Sequence, residues 1–148
     1  MIRRSIDSPL GPLTLTQQDD SLVGLAWGDG YGGRSDLLDA AADQLAAYFA
    51  ARRQDFDLPL RVCGSGAVRA VCAAISAIPY GQTRSYGALA RDLGIPAQAV
   101  GQACGANPLP VLIPCHRVTG LQGLGGFSGG AGTETKVWLL RHEGGLLI

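Results

Sequence analysis

Cys115, His116 and Arg117 stand together at the end of the apolar run Val111-Leu112-Ile113-Pro114. The thiolate is the reactive form of cysteine, and a neighbouring imidazole or cation favours it. The segment is therefore a candidate for nucleophilic chemistry at sulfur. The same residues also fit a buried structural cysteine beside a histidine that caps a helix, because adjacency in sequence does not bring two side chains together. Upstream, Asn107-Pro108-Leu109-Pro110 is turn chemistry that would fix how the segment approaches. Downstream, residues 120–132 are rich in glycine and read as a loop able to lie close to a ligand. Residues 111–113 themselves read as a short strand.

The chain has four cysteines, Cys63, Cys72, Cys104 and Cys115, and two histidines, His116 and His142. Their spacing is irregular and forms no CxxC pair, so neither a zinc site nor a disulfide framework is expected. Free thiols in a reducing compartment are the better reading. Cys72 falls on an apolar helix face and reads as a core residue. Whether Cys104 shares the reactivity of Cys115 is left open by the pattern.

The elements that must position these residues follow from periodicity. Residues 2–6, 13–16 and 22–27 read as strands of a small antiparallel meander, joined by turns at Ser8-Pro9-Leu10-Gly11-Pro12 and Asp19-Asp20. The glycine-rich residues 28–33 lack the strand-to-helix context of a phosphate loop. Leu37, Leu38, Ala41, Leu45, Tyr48 and Phe49 recur at helical spacing within 35–51. Residues 52–61 read as a linker. Val68, Val71, Cys72 and Ile75 predict a helix over 66–77, ended by Ile78-Pro79-Tyr80-Gly81. Residues 85–92 and 97–104 then read as two helices around a break at 93–96. Ala90, Gly94 and Val100 carry the spacing of a DNA-binding helix-turn-helix: a small residue, a turn glycine and an apolar pin. The second helix offers only Gln98 and Gln102 as polar residues, which suits sequence-independent contact better than base reading.

The 148 residues are 47% hydrophobic and 16% charged, which supports a packed core and excludes a disordered polyelectrolyte. No apolar run reaches the roughly 18–20 residues of a membrane span. Met1–Asp7 has basic residues but no apolar stretch behind them, so a protein kept in the cytoplasm is expected. The formal net charge is zero, yet residues 1–60 hold five arginines against nine aspartates. Residues 61–148 hold seven cations against three anions. A basic half suits a polyanionic partner, and attraction between the two halves is the alternative. The fold class expected is α+β. A small antiparallel sheet with a helix fills 1–58. A mostly helical domain with the helix-turn-helix fills 59–148.

At five stretches the chain resembles the O6-alkylguanine-DNA alkyltransferases, the methylated-DNA–protein-cysteine methyltransferases. They are Pro79-Tyr80-Gly81 with Thr83 and Ser85-Tyr86-Gly87; Asn107-Pro108; Ile113-Pro114-Cys115-His116-Arg117-Val118; Gly126-Phe127-Ser128-Gly129-Gly130; and Lys136 with Trp138-Leu139-Leu140 and Glu143-Gly144. The likeness runs in order over about residues 60–145 and is looser before that. It implies direct, irreversible repair of O6-alkylguanine in double-stranded DNA, with O4-alkylthymine as a second candidate substrate. Cys115 would be the acceptor, used once per molecule, with no metal or organic cofactor. His116 would take the thiol proton through a water, Glu143 would orient the imidazole, and Asn107 would hold the cysteine loop to its helix. Tyr86 would help rotate the target base out of the stack and protonate the departing guanine. The resemblance places Val118, Ser128, Phe127 and Pro110 around the base, and Gln98, Ala97, Gln102, Tyr86 and Arg84 on the DNA. It also implies a monomer, nucleoid-associated in a prokaryote.

Three positions depart from the family pattern. Gln98 stands where an arginine usually fills the gap left by the flipped base, and an amide neither carries charge nor stacks as a guanidinium does. Phe127 replaces a common tyrosine. Ala67-Val68 and Cys72 stand where Phe-Gln and Trp are frequent. Gln98 keeps open a lesion-sensing DNA binder without transfer, although the presence of Cys115 argues against it. A helix-turn-helix regulator with an incidental cysteine fits poorly with the lack of base-reading side chains, and a thiol hydrolase lacks a legible oxyanion site.

Overall fold

Leu13, Thr14, Leu15 and Thr16 alternate apolar and polar side chains, the period that lays one face of a strand on a core. In the computed structural model, which describes residues 1–120, 130 and 132–144, this segment lies in the middle strand of an antiparallel sheet. Strands β1 (Ile2–Ile6), β2 (Leu13–Gln18) and β3 (Ser21–Trp27) pair in the order β1-β2-β3. Helix α1 (Asp36–Phe49) starts at Ser35, whose Oγ accepts from Leu38 N at 2.9 Å. Its Leu38, Ala41, Leu45 and Tyr48 are buried, as are Leu13, Leu15, Leu22 and Leu25 of the sheet. Each such leucine contributes about 1.5–3 kcal/mol. The segment after β3 returns to the edge of β1, where Gly33 N donates to Arg3 O and Ser5 N to Tyr31 O, both at 2.8 Å. A Cβ on Gly33 would meet the Arg3 carbonyl oxygen at 2.6 Å, so this glycine serves close strand approach.

The chain divides into two units, Met1–Arg61 and Val62–Ile148. The division falls a few residues beyond the boundary expected at 58. Leu22 N donates to Pro59 O and Arg61 N to Leu22 O, both at 2.9 Å, and these bonds tie the end of the expected linker to β3.

The second unit holds α2 (Gly66–Ser76), β4 (Arg84–Ser85), α3 (Tyr86–Leu93), α4 (Ala97–Gly105), β5 (Val118–Thr119) and α5 (Thr133–Glu143). The α+β fold is the one expected. Helices α3 and α4 form the helix-turn-helix. Ser85 caps α3 by accepting from Ala88 N at 3.0 Å, and Gly94 ends it at φ 68°, a conformation glycine takes without strain. Ala90 and Val100 are buried between the helices, which pack on each other and on α2.

One local expectation changes, and one strand pairing is new. Residues 111–113 are not a strand. Ile113 N donates to Leu109 O at 2.8 Å and Val111 sits at φ 73°, so the chain turns here. Prolines 108, 110 and 114 remove the donors a ladder would need. A β-branched residue in this region stores roughly 1–3 kcal/mol of strain. In addition, β4 and β5 pair in parallel, Arg84 with Val118 and Ser85 with Thr119, a contact across thirty-odd residues that periodicity does not announce.

Candidate active site

Cys115, His116 and Arg117 form one 3-10 turn between Pro114 and β5. Arg117 N donates to Pro114 O at 2.9 Å and closes it. All three side chains are buried, His116 completely. Helix α5 packs against this turn. Its Lys136, Leu139, Leu140 and Glu143 are spaced as one helical stripe and are all buried. The stripe therefore brings a cation and, about two turns later, a carboxylate to the same interior.

Glu143 Oε2 lies 2.8 Å from His116 Nε2. The Nδ1 atom of the same ring is buried and has no hydrogen-bond partner among the described residues. Arg117 grips Glu143 through Nε at 2.8 Å and Nη2 at 2.9 Å. Lys136 Nζ donates to the Val118 carbonyl at 2.7 Å and lies 5.7 Å from the centre of the Tyr86 ring. Asn107 Nδ2 donates to Ile113 O at 2.9 Å, while its Oδ1 accepts from Leu109 N at 3.0 Å. The Cys72 thiol points at the same oxygen from α2, at 3.9 Å.

Electrostatics follow from burial and these partners. Burial pushes the Cys115 thiol up, and the Asn107 amide and the Lys136 ammonium pull it back. Burial pushes the His116 imidazole down, and Glu143 opposes this while Arg117 and Lys136 add to it. The resting pair is thus a neutral thiol beside a neutral imidazole. Burial also raises Tyr86, with the Cys104 and Cys115 thiols adding to the effect. Cys72 is pushed up to about 11 and Cys104 to about 12, each chiefly by burial.

Cys115, His116, Glu143, Asn107, Tyr86 and Val118 therefore converge. Pro110 bridges to Ile113 within the preceding turn. Phe127 and Ser128 lie outside the described residues, as does most of the glycine-rich segment. Ala97, Gln98 and Gln102 are exposed on α4. Arg84 is paired with Asp92 at 2.7 Å, so its charge is partly neutralised. The positive half of the sequence is less basic at its surface than its count suggests, because Arg117 and Lys136 are interior. Sequence reasoning placed Arg117 beside the cysteine but not on Glu143, and it missed Lys136 and Cys72 as members of this cluster. The signal for Lys136 was present: two charged residues seven apart bracket Leu139-Leu140 on one helical face. Among the described residues no group of histidine, cysteine and carboxylate side chains is placed to hold a metal. No helix among them is long and apolar enough to cross a membrane.

Known proteins place this arrangement. The family model described as 6-O-methylguanine DNA methyltransferase, DNA binding domain, matches residues 67–145. The one described as the ribonuclease-like domain of the same methyltransferase matches residues 1–62. A methylated-DNA–protein-cysteine methyltransferase of Mycolicibacterium paratuberculosis is 43% identical, covering 95% of this chain and 90% of its own length. One from Methanosarcina acetivorans is 36% identical over 93% of this chain and 95% of its own. The structure is also similar to a crystal structure of Mycobacterium tuberculosis OGT in complex with DNA. The TM-score is 0.88 and the identity 41%, over 97% of this chain and 93% of that one.

Proposed function

The chain belongs to the 6-O-methylguanine DNA methyltransferase family, and we propose that it repairs DNA by moving an alkyl group from O6 of guanine to Cys115. The Cys115 proton passes through a water to His116 Nδ1. The sulfur attacks the alkyl carbon, and the carbon–oxygen bond breaks as the carbon–sulfur bond forms. The electron pair leaves with the guanine, which takes a proton from the Tyr86 hydroxyl. The thioether is a dead end, so each molecule acts once. Asn107 fixes the cysteine turn, and Lys136 is the cation nearest in role to a thiolate counter-ion.

One observation carries this reading. Cys115 shares a buried turn with His116, whose Nε2 is held by Glu143 at 2.8 Å while Nδ1 has no partner among the described residues. That is a base oriented from behind and open in front, the logic of an activated nucleophile. DNA is the partner. The exposed Ala97, Gln98 and Gln102 of α4, with Tyr86 and Arg84, face it, and extruding the target base costs a few kcal/mol of stacking. Val118, Pro110, Phe127 and Ser128 are assigned to the base pocket from the family resemblance. The helix-turn-helix unit, expected from residue 59 onward, carries both DNA contact and chemistry. The protein acts as a monomer in the cytoplasm, at the nucleoid in a prokaryote, because a lesion is not palindromic.

The test is intact-protein mass after incubation with duplex DNA containing O6-methylguanine, followed by peptide mapping. A single methyl on Cys115 in one-to-one yield is expected. Lesion-dependent binding with no mass gain would instead favour a sensor, and neither binding nor transfer would sink both.

A further inference from the structure

Among the described residues, the side chains of Arg117 and His116 both meet the Glu143 carboxylate. Arg117 reaches Oε1 through Nε at 2.8 Å and Oε2 through Nη2 at 2.9 Å, beside His116 Nε2 at 2.8 Å. Arg117 is itself anchored, with Nη1 donating to Ile78 O at 2.7 Å and the guanidinium 5.7 Å from the Tyr80 ring centre. A guanidinium fork matches a carboxylate with two parallel bonds. The Glu143 side chain is only 1% exposed, and at such a position a carboxylate without a cation takes up a proton. With Arg117 on both oxygens it stays ionised and can only accept. An acceptor opposite Nε2 requires the ring proton to be on Nε2, which leaves the lone pair of a neutral imidazole on Nδ1.

We infer that Arg117 is a positioning residue for the transfer: by holding Glu143 ionised at both oxygens, it sets the His116 proton on Nε2 and keeps Nδ1 free as the base. The use of that base rests on the alkyl-transfer reading, whereas the site of the proton does not. Arg117 has a second effect. Among the described residues, the charged and titratable groups around the His116 turn are Glu143 and Lys136 from α5, Cys72 from α2, and Cys115 and Arg117 from the turn itself, with Tyr80 behind Arg117. Without the guanidinium the coupled Glu143–His116 pair takes up a proton more readily, and whether that proton sits on the carboxyl or on the ring, Nδ1 then carries hydrogen. The guanidinium opposes that uptake and keeps the resting ring neutral. A base must be neutral to accept, so transfer fades as pH falls through the His116 pKa. Removing the cation raises that pKa and moves the acid limb to higher pH.

The experiment combines single-turnover transfer against pH with ¹⁵N NMR of His116 in the free protein. In the wild type at neutral pH, a protonated Nε2 and a pyridine-like Nδ1 are expected. In Arg117→Gln, the acid limb should move up by about one pH unit or more, and transfer at neutral pH should fall roughly 10²-fold. Arg117→Lys keeps the charge without the fork, so its acid limb should stay near the wild-type position with a smaller loss of rate. A wild-type ring protonated on Nδ1, or on both nitrogens, overturns the inference without any variant. So does a folded Arg117→Gln protein with wild-type tautomer and acid limb. A wild type that transfers nothing removes the alkyl-transfer reading, while the NMR result still decides the role of Arg117.

Discussion

Lys136 places an ammonium where solvent does not reach it. Burying such a group costs several kcal/mol even after relaxation. The Val118 carbonyl at 2.7 Å and the face of the Tyr86 ring recover part of this. Burial lowers the Lys136 pKa, and the neighbouring Cys115 and Cys104 thiols oppose the shift, because either thiolate would be its counter-ion. A residue with this balance is better explained by the reaction than by stability. Lys136→Met should therefore leave folding stability within about 1 kcal/mol, since the lost carbonyl bond and the relieved desolvation offset each other. Transfer at neutral pH should fall ~10-fold or more, one pKa unit of the thiol being one factor of ten. Thermal melts and single-turnover rates check this; equal losses in both would make Lys136 merely structural. Glu143 is buried by the same packing. Its place two turns after Lys136 on the buried stripe of α5 is what makes it interior.

At the scale of elements, α3 and α4 were legible because their signals are local. Ser85 caps, Gly94 turns, and Ala90 and Val100 pack, each at a position that sequence spacing specifies. The β4–β5 pair was not legible, since two-residue strands carry no period and pair only where packing brings them together. The turn at 109–113 misled the reading for a related reason. Val111, Leu112 and Ile113 look like a strand, but the Asn107 side chain and three prolines impose a turn on them. Helix α4 presents Ala97, Gln98 and Gln102 to solvent and carries no basic residue. It therefore offers a polyanion no cation of its own. Gln98→Arg should strengthen binding to a lesion-containing duplex several-fold at moderate salt. The plot of log K against log salt should steepen by about 0.9, the release expected for one added phosphate contact. Titration at several salt concentrations measures this, and an unchanged slope would mean that position 98 does not approach the backbone.

At the scale of the whole molecule, three of the four cysteines report on folding. Cys63 is exposed, Cys104 is half-buried and Cys72 is buried, and burial pushes the Cys72 thiol up to about 11 and the Cys104 thiol up to about 12. Iodoacetamide should modify Cys63 in the native protein and leave Cys72 and Cys104 until the second unit unfolds, as peptide mapping along a denaturant series would show. Early labelling of Cys72 would contradict its place beside Asn107. Local pattern was enough for the α+β class, the three-stranded meander, α1, α2 and the helix-turn-helix, and it singled out the Pro-Cys-His-Arg stretch. Periodicity, capping and turn residues act within a few positions, and the Pro-Cys-His-Arg stretch is read directly. Which charges are interior, and whom they meet, follows from packing across the chain. Arg117 on Glu143, Lys136 over Tyr86, and Cys72 against Asn107 join residues far apart in the chain. Their partners are set by the packing of α2, α5 and the cysteine turn, which no local pattern encodes.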